Sequence, residues 1–301
     1  MKSAKDWFKL VAKGFAMGTA DLVPGVSGGT IAFITGIYSE LISTIAGLGP
    51  ATLKVLFSEG ISATWKKYNL SFLALLFAGI ISAVLTLSRT IKYFHAHHPE
   101  ELRAFFLGLV IASVPLIVRE VERRKTENIL MCLAGVAVGI GISLAPNSAP
   151  TDSLLFIGLS GAVAISAMLL PGISGSFILL LLGIYPTVIE AIAEFDIKVL
   201  GVFVGGMVLG LLAFSRLLKR VLETAKEKCL SLLVGFMVGA LGTLWPWQKT
   251  GDILYTKASG EEIYEMLNVL PSCSTSEIIF VVAFTALGAA LVTDLDEFSQ
   301  R

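Results

Sequence analysis

The sequence predicts an all-α polytopic membrane protein made of two inverted-topology repeats, each a re-entrant helical hairpin followed by three transmembrane helices. Three observations carry this. Composition is the first: of 301 residues, 55% are hydrophobic and 15% charged, with a mean hydropathy of +0.81, whereas a soluble chain carries roughly 25% charge. The second is a duplication. Residues 21–42, DLVPGVSGGTIAFITGIYSELI, return as 168–189, MLLPGISGSFILLLLGIYPTVI, at an offset of 147 with ten of twenty-two positions identical. The third is the distribution of Lys and Arg, which orients the spans.

In chain order, Lys2, Lys5, Lys9 and Lys13 precede a short uncharged run, Gly14 to Ala20. Cleavage after that run would cut into the first repeat, so residues 4–20 read as a retained helix with its lysines at the interface. The first hairpin covers about 5–48, a polar loop runs from Pro50 to Asn69, and spans follow at about 70–88, 102–118 and 129–145. A short Pro/Asn/Ser segment leads to the second hairpin at about 153–189 and to spans at about 199–214, 229–245 and 278–293. Several of these runs fall short of the roughly 20 residues that cross a bilayer and must borrow from their flanks. Ser88, Arg89 and Lys92 match Ser215, Arg216 and Lys219 at an offset of 127, as do Gly79/Gly206 and Gly108/Gly235. The repeats are therefore about 1–146 and 152–301, and the extra residues of the first lie where its polar loop does.

Three spans after each hairpin is an odd number, so the second repeat is inverted. With both termini cytoplasmic, seventeen of the 23 Lys and Arg fall inside and six, Arg89, Lys92, Arg103, Lys198, Lys249 and Lys257, outside. This obeys the positive-inside rule. Hairpins that crossed fully would move the 50–69 loop and the Arg119–Lys125 cluster outside and spoil the bias. Net charge is zero, which offers no basis for nucleic-acid binding.

Each Pro-Gly-x-Ser-Gly break frees backbone amides inside an apolar stretch, and non-helical backbone in a membrane is tolerated only where protein buries it or where it lines a cavity. The amides of Gly28, Gly29 and Thr30, and of Gly175 and Ser176, open half-helices at the positive end of a helix dipole, with the Ser27 and Ser174 hydroxyls beside them. Helix starts of this kind hold anions, phosphate above all. Facing each other from two inverted halves, they would form one oxyanion cradle near the midplane. The competing reading is two kinks packed on small residues; duplication favours the cradle. Arg89 and Arg216 fall at opposite faces, as phosphate-binding forks or as snorkelling side chains. Asp21 and Glu40 have no mates in the second copy, which carries Met168 and Thr187. They are candidate coupling carboxylates for protons or another ion, although Asp21 can equally cap its own turn and Glu40 can reach the interface.

Other features point to packing. Tyr38 and Tyr185 read as symmetric packing or interfacial anchors. His95, His97 and His98 sit in a loop without a second ligand group at metal spacing, so no metal or other cofactor is expected. Cys132, Cys229 and Cys273 have neither metal nor redox spacing and read as packing residues.

The stretch Met17-Gly18-Thr19-Ala20-Asp21-Leu22-Val23-Pro24-Gly25-Val26-Ser27-Gly28-Gly29-Thr30, followed by Gly36-Ile37-Tyr38, resembles the signature of a bacterial and archaeal membrane family, the polyprenyl-phosphate transporters (PopT-like), formerly a family of unknown function. The likeness extends over nearly the whole chain. It implies a flippase that returns undecaprenyl phosphate, the lipid carrier of cell-wall polymers, from the outer to the inner leaflet of the cytoplasmic membrane, and it assigns no residue a role. One rival is a polyprenyl-diphosphate phosphatase, a membrane enzyme that shares a Pro-Gly-x-Ser element. There an arginine follows the serine, where this chain has Gly28 and Gly175, and paired glutamates assist, where Glu40 stands alone. Another is a permease for a small soluble anion.

Overall fold

The computed structural model describes residues 4–23, 27–119, 121–122, 125–144, 153–256, 262–271 and 275–300. Pro24, Gly25 and Val26 of the first break, the 145–152 linker, Arg123, Arg124, Lys257 and Cys273 lie outside the described residues.

Helix α1 (Ala4–Asp21) ends where the approach of Pro24 bars a further turn. Helix α2 (Gly28–Ile34) follows the break and α3 (Tyr38–Gly47) follows α2 at a bend of 118°. Sequence reasoning placed a single hairpin over about 5–48, with one apolar arm after the Pro-Gly-x-Ser-Gly break; the structure breaks that arm again at Gly36. There Gly36, at φ +72°, follows the last turn of α2, and the Ile37 amide reaches back to the Ala32 carbonyl at 3.0 Å. This is a helix stop that needs a left-handed residue, which glycine supplies at least cost. The second half repeats it: α9 (Gly175–Leu181) and α10 (Tyr185–Glu194) meet at 111°, with Gly183 at φ +68° and Ile184 bonded back to Leu179. The Gly-Ile-Tyr identities of the duplication are thus a second hinge.

The supposed polar loop at 50–69 is largely helix α4 (Pro50–Lys67), kinked at Gly60. Exposed Leu53, Phe57, Ile61 and Trp65 recur every fourth residue along it, beside Lys54, Lys66 and Lys67, a helical period that the charged residues disguise in a linear reading. Then come α5 (Leu70–His97), α6 (Pro99–Val118), α7 (Thr126–Ser143), α8 (Leu154–Met168), α11 (Ile197–Thr224), α12 (Lys226–Gly239), a 3-10 turn (Ala240–Leu244) and α13 (Thr275–Gln300). Between the turn and α13 lies an antiparallel pair, β1 (Gln248–Thr256) and β2 (Glu262–Asn268). An all-α expectation misses it because the segment carries Lys249, Asp252 and Glu262 and reads as loop.

Among the described residues five helices are long and apolar enough to cross a membrane, or up to seven if each bent pair is one span. The chain is a multi-pass membrane protein. Helix α1 lies along α5 and α8 along α11, while α6 pairs with α13 and α7 with α12. Repeat-matched glycines make these contacts. A Cβ on Gly79 would lie 2.2 Å from the Val11 carbonyl of α1, and one on Gly206 1.9 Å from the Gly158 carbonyl of α8. Gly108 meets Thr285 of α13 at 1.9 Å and Gly235 meets Cys132 of α7 at 2.2 Å in the same sense. Backbones this close gain dispersion contacts where lipid offers no hydrophobic drive. Cys132 and Cys229 are free thiols within this packing.

Gly206→Val should therefore lower the thermal stability of the detergent-solubilised protein by about 1–3 kcal/mol, the usual cost of overpacking. Gly201→Val, on the same helix with nothing within 4 Å of its Cβ, should leave the melting curve within experimental scatter. Equal melting of the two variants would contradict the packing described.

Candidate functional site

The two breaks meet. The first turn of α2 abuts the end of α8, so that a Cβ on Gly29 would lie 2.9 Å from the Met168 carbonyl, and Ser27 Oγ faces that carbonyl at 3.5 Å. Thr30 Oγ1 accepts from the Gly172 amide at 2.9 Å, and Tyr38 donates to the Leu169 carbonyl at 2.7 Å. Ser27, Thr30 and Tyr38 are all buried. Frayed backbone at the end of α8 thereby finds partners in the other half, as a water-poor interior demands.

The two helix starts are not equivalent. At α2 the donors are occupied from within the chain: the Gly28 amide by Asp21 Oδ1 at 2.6 Å, Gly29 by Ser27 Oγ at 3.2 Å, and Thr30 by the Ser27 carbonyl at 2.9 Å. Asp21 thus covers an amide of its own turn. The Ser27 hydroxyl is the N-cap of α2 and is 3% exposed. At α9 the Ser174 side chain makes no cap; its hydroxyl pairs with that of Ser176 at 2.9 Å. Gly175 is buried and Ser176 exposed.

The difference traces to one substitution between the copies. A Cβ on Gly28 would sit 2.5 Å from Asp21 Oδ2, and a Cβ on Gly175 would sit 2.5 Å from Met168 Cγ. Residues 21 and 168 are repeat mates, so a carboxylate lies over one helix start and a thioether over the other. A carboxylate is itself an anion at the dipole's positive end and satisfies the amide it covers; a thioether is a weak acceptor.

The other candidates lie apart from the breaks. Glu40, half-buried, accepts from Asn69 Nδ2 at 2.9 Å. Lys13, placed at the interface by sequence reasoning, donates to the Thr35 carbonyl at 2.6 Å and binds α1 to the end of α2. Arg216 donates to the Leu48 carbonyl at the end of α3. Arg89 is exposed and has no bonded partner among the described residues. His95 and His97 lie on the last turn of α5, rather than in a loop; His97 stacks on Tyr93 at 4.4 Å and His98 meets Glu101 at 3.3 Å. Among the described residues no group of three His, Cys, Asp or Glu gathers to hold a metal.

Sequence reasoning passed over Tyr38, which it took as an anchor, and the acceptor role of Thr30. Their signal was present: Tyr38 belongs to the duplicated Gly-Ile-Tyr, and Thr30 is one of the few polar residues in its run. What a linear reading lacks is the partner, 131 residues away for Tyr38 and 142 for Thr30.

Broken helices brought together in the interior of a multi-pass bundle define a membrane protein with a polar centre. The chain belongs to the family described as undecaprenyl phosphate translocase-like, whose model matches residues 17–263. It is 38% identical over 300 residues to a polyprenyl-phosphate transporter of Vibrio cholerae, covering 96% of each chain. It is also 34% identical over 267 residues to a polyprenyl-phosphate transporter of Staphylococcus aureus, covering 83% of this chain and 89% of that one. Both relatives are transporters by name. No solved structure matches.

Tyr38→Phe should destabilise the protein by about 1–3 kcal/mol, because it strands a buried carbonyl. Tyr93→Phe, at an exposed ring, should change little. Thermal unfolding in detergent compares the two, and equal stability would remove Tyr38 from the contact between the breaks.

Proposed function

We propose that the chain carries polyprenyl phosphate, undecaprenyl phosphate in a bacterial envelope, across the cytoplasmic membrane, returning the lipid carrier from the outer to the inner leaflet. The observation that carries this reading is the meeting of the two Pro-Gly-x-Ser-Gly breaks in the protein interior through Thr30, Tyr38 and Ser27. A polyprenyl tail is soluble in hydrocarbon; its phosphate is not, and even one ionised side chain at the bilayer centre costs about 2.5–3.5 kcal/mol on insertion scales. The protein need shelter only the head group.

In this reading the halves are inverted repeats with their breaks near the midplane, each hairpin re-entrant from its own face. The phosphate enters at the α9 start, where Ser174, Gly175 and Ser176 offer hydroxyls and amides uncovered by a carboxylate. It then competes with Asp21 for the amides of Gly28, Gly29 and Thr30, with Ser27 beside them. Two anions cannot share that helix start, so Asp21 swings away or takes up a proton, and binding is coupled to protonation there. Arg89 meets the head group at the outer face and Arg216 lies at the cytoplasmic one. Glu40, bonded to Asn69 near the interface, serves the first hairpin's geometry. The named substrates of both relatives support this choice of head group.

The test is a leaflet-sidedness assay on purified protein in liposomes containing polyprenyl phosphate, with phosphate release and inorganic phosphate uptake scored in the same samples. Lipid movement without either is expected; phosphate release would mean an enzyme, and uptake alone a small-anion permease. The quadruple variant Ser27→Ala/Ser174→Ala/Gly28→Val/Gly175→Val should lose movement at least tenfold while still folding in the membrane; full activity would refute the cradle. Asp21→Asn, which keeps an oxygen for the Gly28 amide but no charge, should flatten the pH dependence of transport.

A further inference from the structure

The two halves share a sequence pattern, yet their ends are held differently. Leu48, which closes α3, and Phe195, which closes α10, are repeat mates at the offset of 147; Arg216 on α11 and Arg89 on α5 are repeat mates at 127. In the first pairing Arg216 Nη2 bonds the Leu48 carbonyl across the halves, and α3 lies along α11. Gly49 leaves room for it, since a Cβ there would fall 2.4 Å from Nη2. The second pairing is undone. Arg89 is exposed with no bonded partner among the described residues, Phe195 is 80% exposed, and α10 rests on α11 of its own half without a comparable contact to α5.

Backbone conformation differs in the same way. Leu48 is extended, at φ −75° and ψ 150°, whereas Phe195 is left-handed, at φ 55° and ψ 39°. That region is uncommon for a residue other than glycine, asparagine or aspartate, and a bulky ring there stores strain. An end that closed as Leu48 does would release it. The helix starts follow suit, with Ser27 and Thr30 buried in the half whose end is docked and Ser176 exposed in the half whose end is loose.

We infer that Arg216 and Arg89 are alternating latches. Arg216 fastens α3 to the opposite half's long helix in the conformation seen, and Arg89 fastens α10 at the Phe195 carbonyl in the alternate one, each bond forming as the other breaks. With the inverted orientation of the proposed function, on which this inference rests, the conformation seen is closed at the cytoplasmic end and open toward the outer leaflet. Both arginines are thereby positioning residues that set which end of the route is shut. A two-state element of this kind is what an alternating route requires.

Spin-label distances in nanodiscs without substrate test it, in full-length protein carrying Cys132→Ser, Cys229→Ser and Cys273→Ser. One label pair, Ser43→Cys with Leu217→Cys, reports the first end; its repeat-mate pair, Glu190→Cys with Thr90→Cys, reports the second. All four positions are exposed. A dominant short distance at the first pair and long distance at the second is expected, with a minor reversed population. Arg216→Ala should raise the reversed population about tenfold, the effect of losing one charge-assisted hydrogen bond, Arg216→Lys should restore part of it, and Arg89→Ala should deplete it. Size-exclusion profiles and melting curves establish that the variants are folded. Unchanged distances in a folded Arg216→Ala, or one pair opening without the other closing, would overturn the latch. If the distances respond while liposomes move no polyprenyl phosphate, the substrate is wrong and the latch stands; if lipid moves and the distances stay put, the latch is wrong and the transport reading stands.

Discussion

Backbone polar groups that leave a helix inside hydrocarbon must be satisfied by protein, and the centre of this molecule follows from that constraint. The chain breaks its helices at matched places, and each break creates donors and acceptors that lipid cannot serve. The solution pairs one half with the other. The Gly172 amide finds Thr30 Oγ1 and the Leu169 carbonyl finds the Tyr38 hydroxyl across the halves, while the Gly28 amide is met by Asp21 of its own half. In the proposed function an anionic head group takes the place of some of these bonds.

Around that centre the packing is set by closeness rather than by hydrophobic segregation, because the outside of the bundle is as apolar as its inside. The repeat-matched glycines Gly79/Gly206 and Gly108/Gly235 lie where backbones touch. They bring α1 against α5 and α8 against α11 within each half, and join the halves through α6 with α13 and α7 with α12. The same glycine positions therefore carry the same contacts twice, and the departures from symmetry stand out against that background. Asp21 opposite Met168 is one; the docked α3 beside the undocked α10 is the other. The halves thus differ chemically at the helix starts and conformationally at the ends of α3 and α10.

Much of the architecture was legible in the residues. Apolar runs marked the spans, the Pro-Gly-x-Ser-Gly identities marked the first breaks, and the matched glycines outside the motif marked the repeat, whereas their role in helix contact appeared only in the fold. Helix α4 was missed because Lys54, Glu59, Lys66 and Lys67 dilute its apolar stripe, which becomes periodic only when wound at 3.6 residues per turn. The second break was missed because Gly36 and Gly183 follow apolar helical runs, without the proline that stands directly before the glycine in the first breaks. Their Gly-Ile-Tyr context, identical in both copies, was a helix stop read as part of an apolar arm.

From its sequence alone this chain was bound to be a multi-pass helical membrane protein, duplicated, and broken at two matched turns, since composition, periodicity and punctuation are properties of neighbouring residues. Which carbonyl Tyr38 would meet, whether Asp21 would cap its own turn, and which arginine would hold a hairpin end depended on groups far apart along the chain. Only the fold could settle these, because hydrogen bonds are made at about 3 Å in space and a linear order records no such distance.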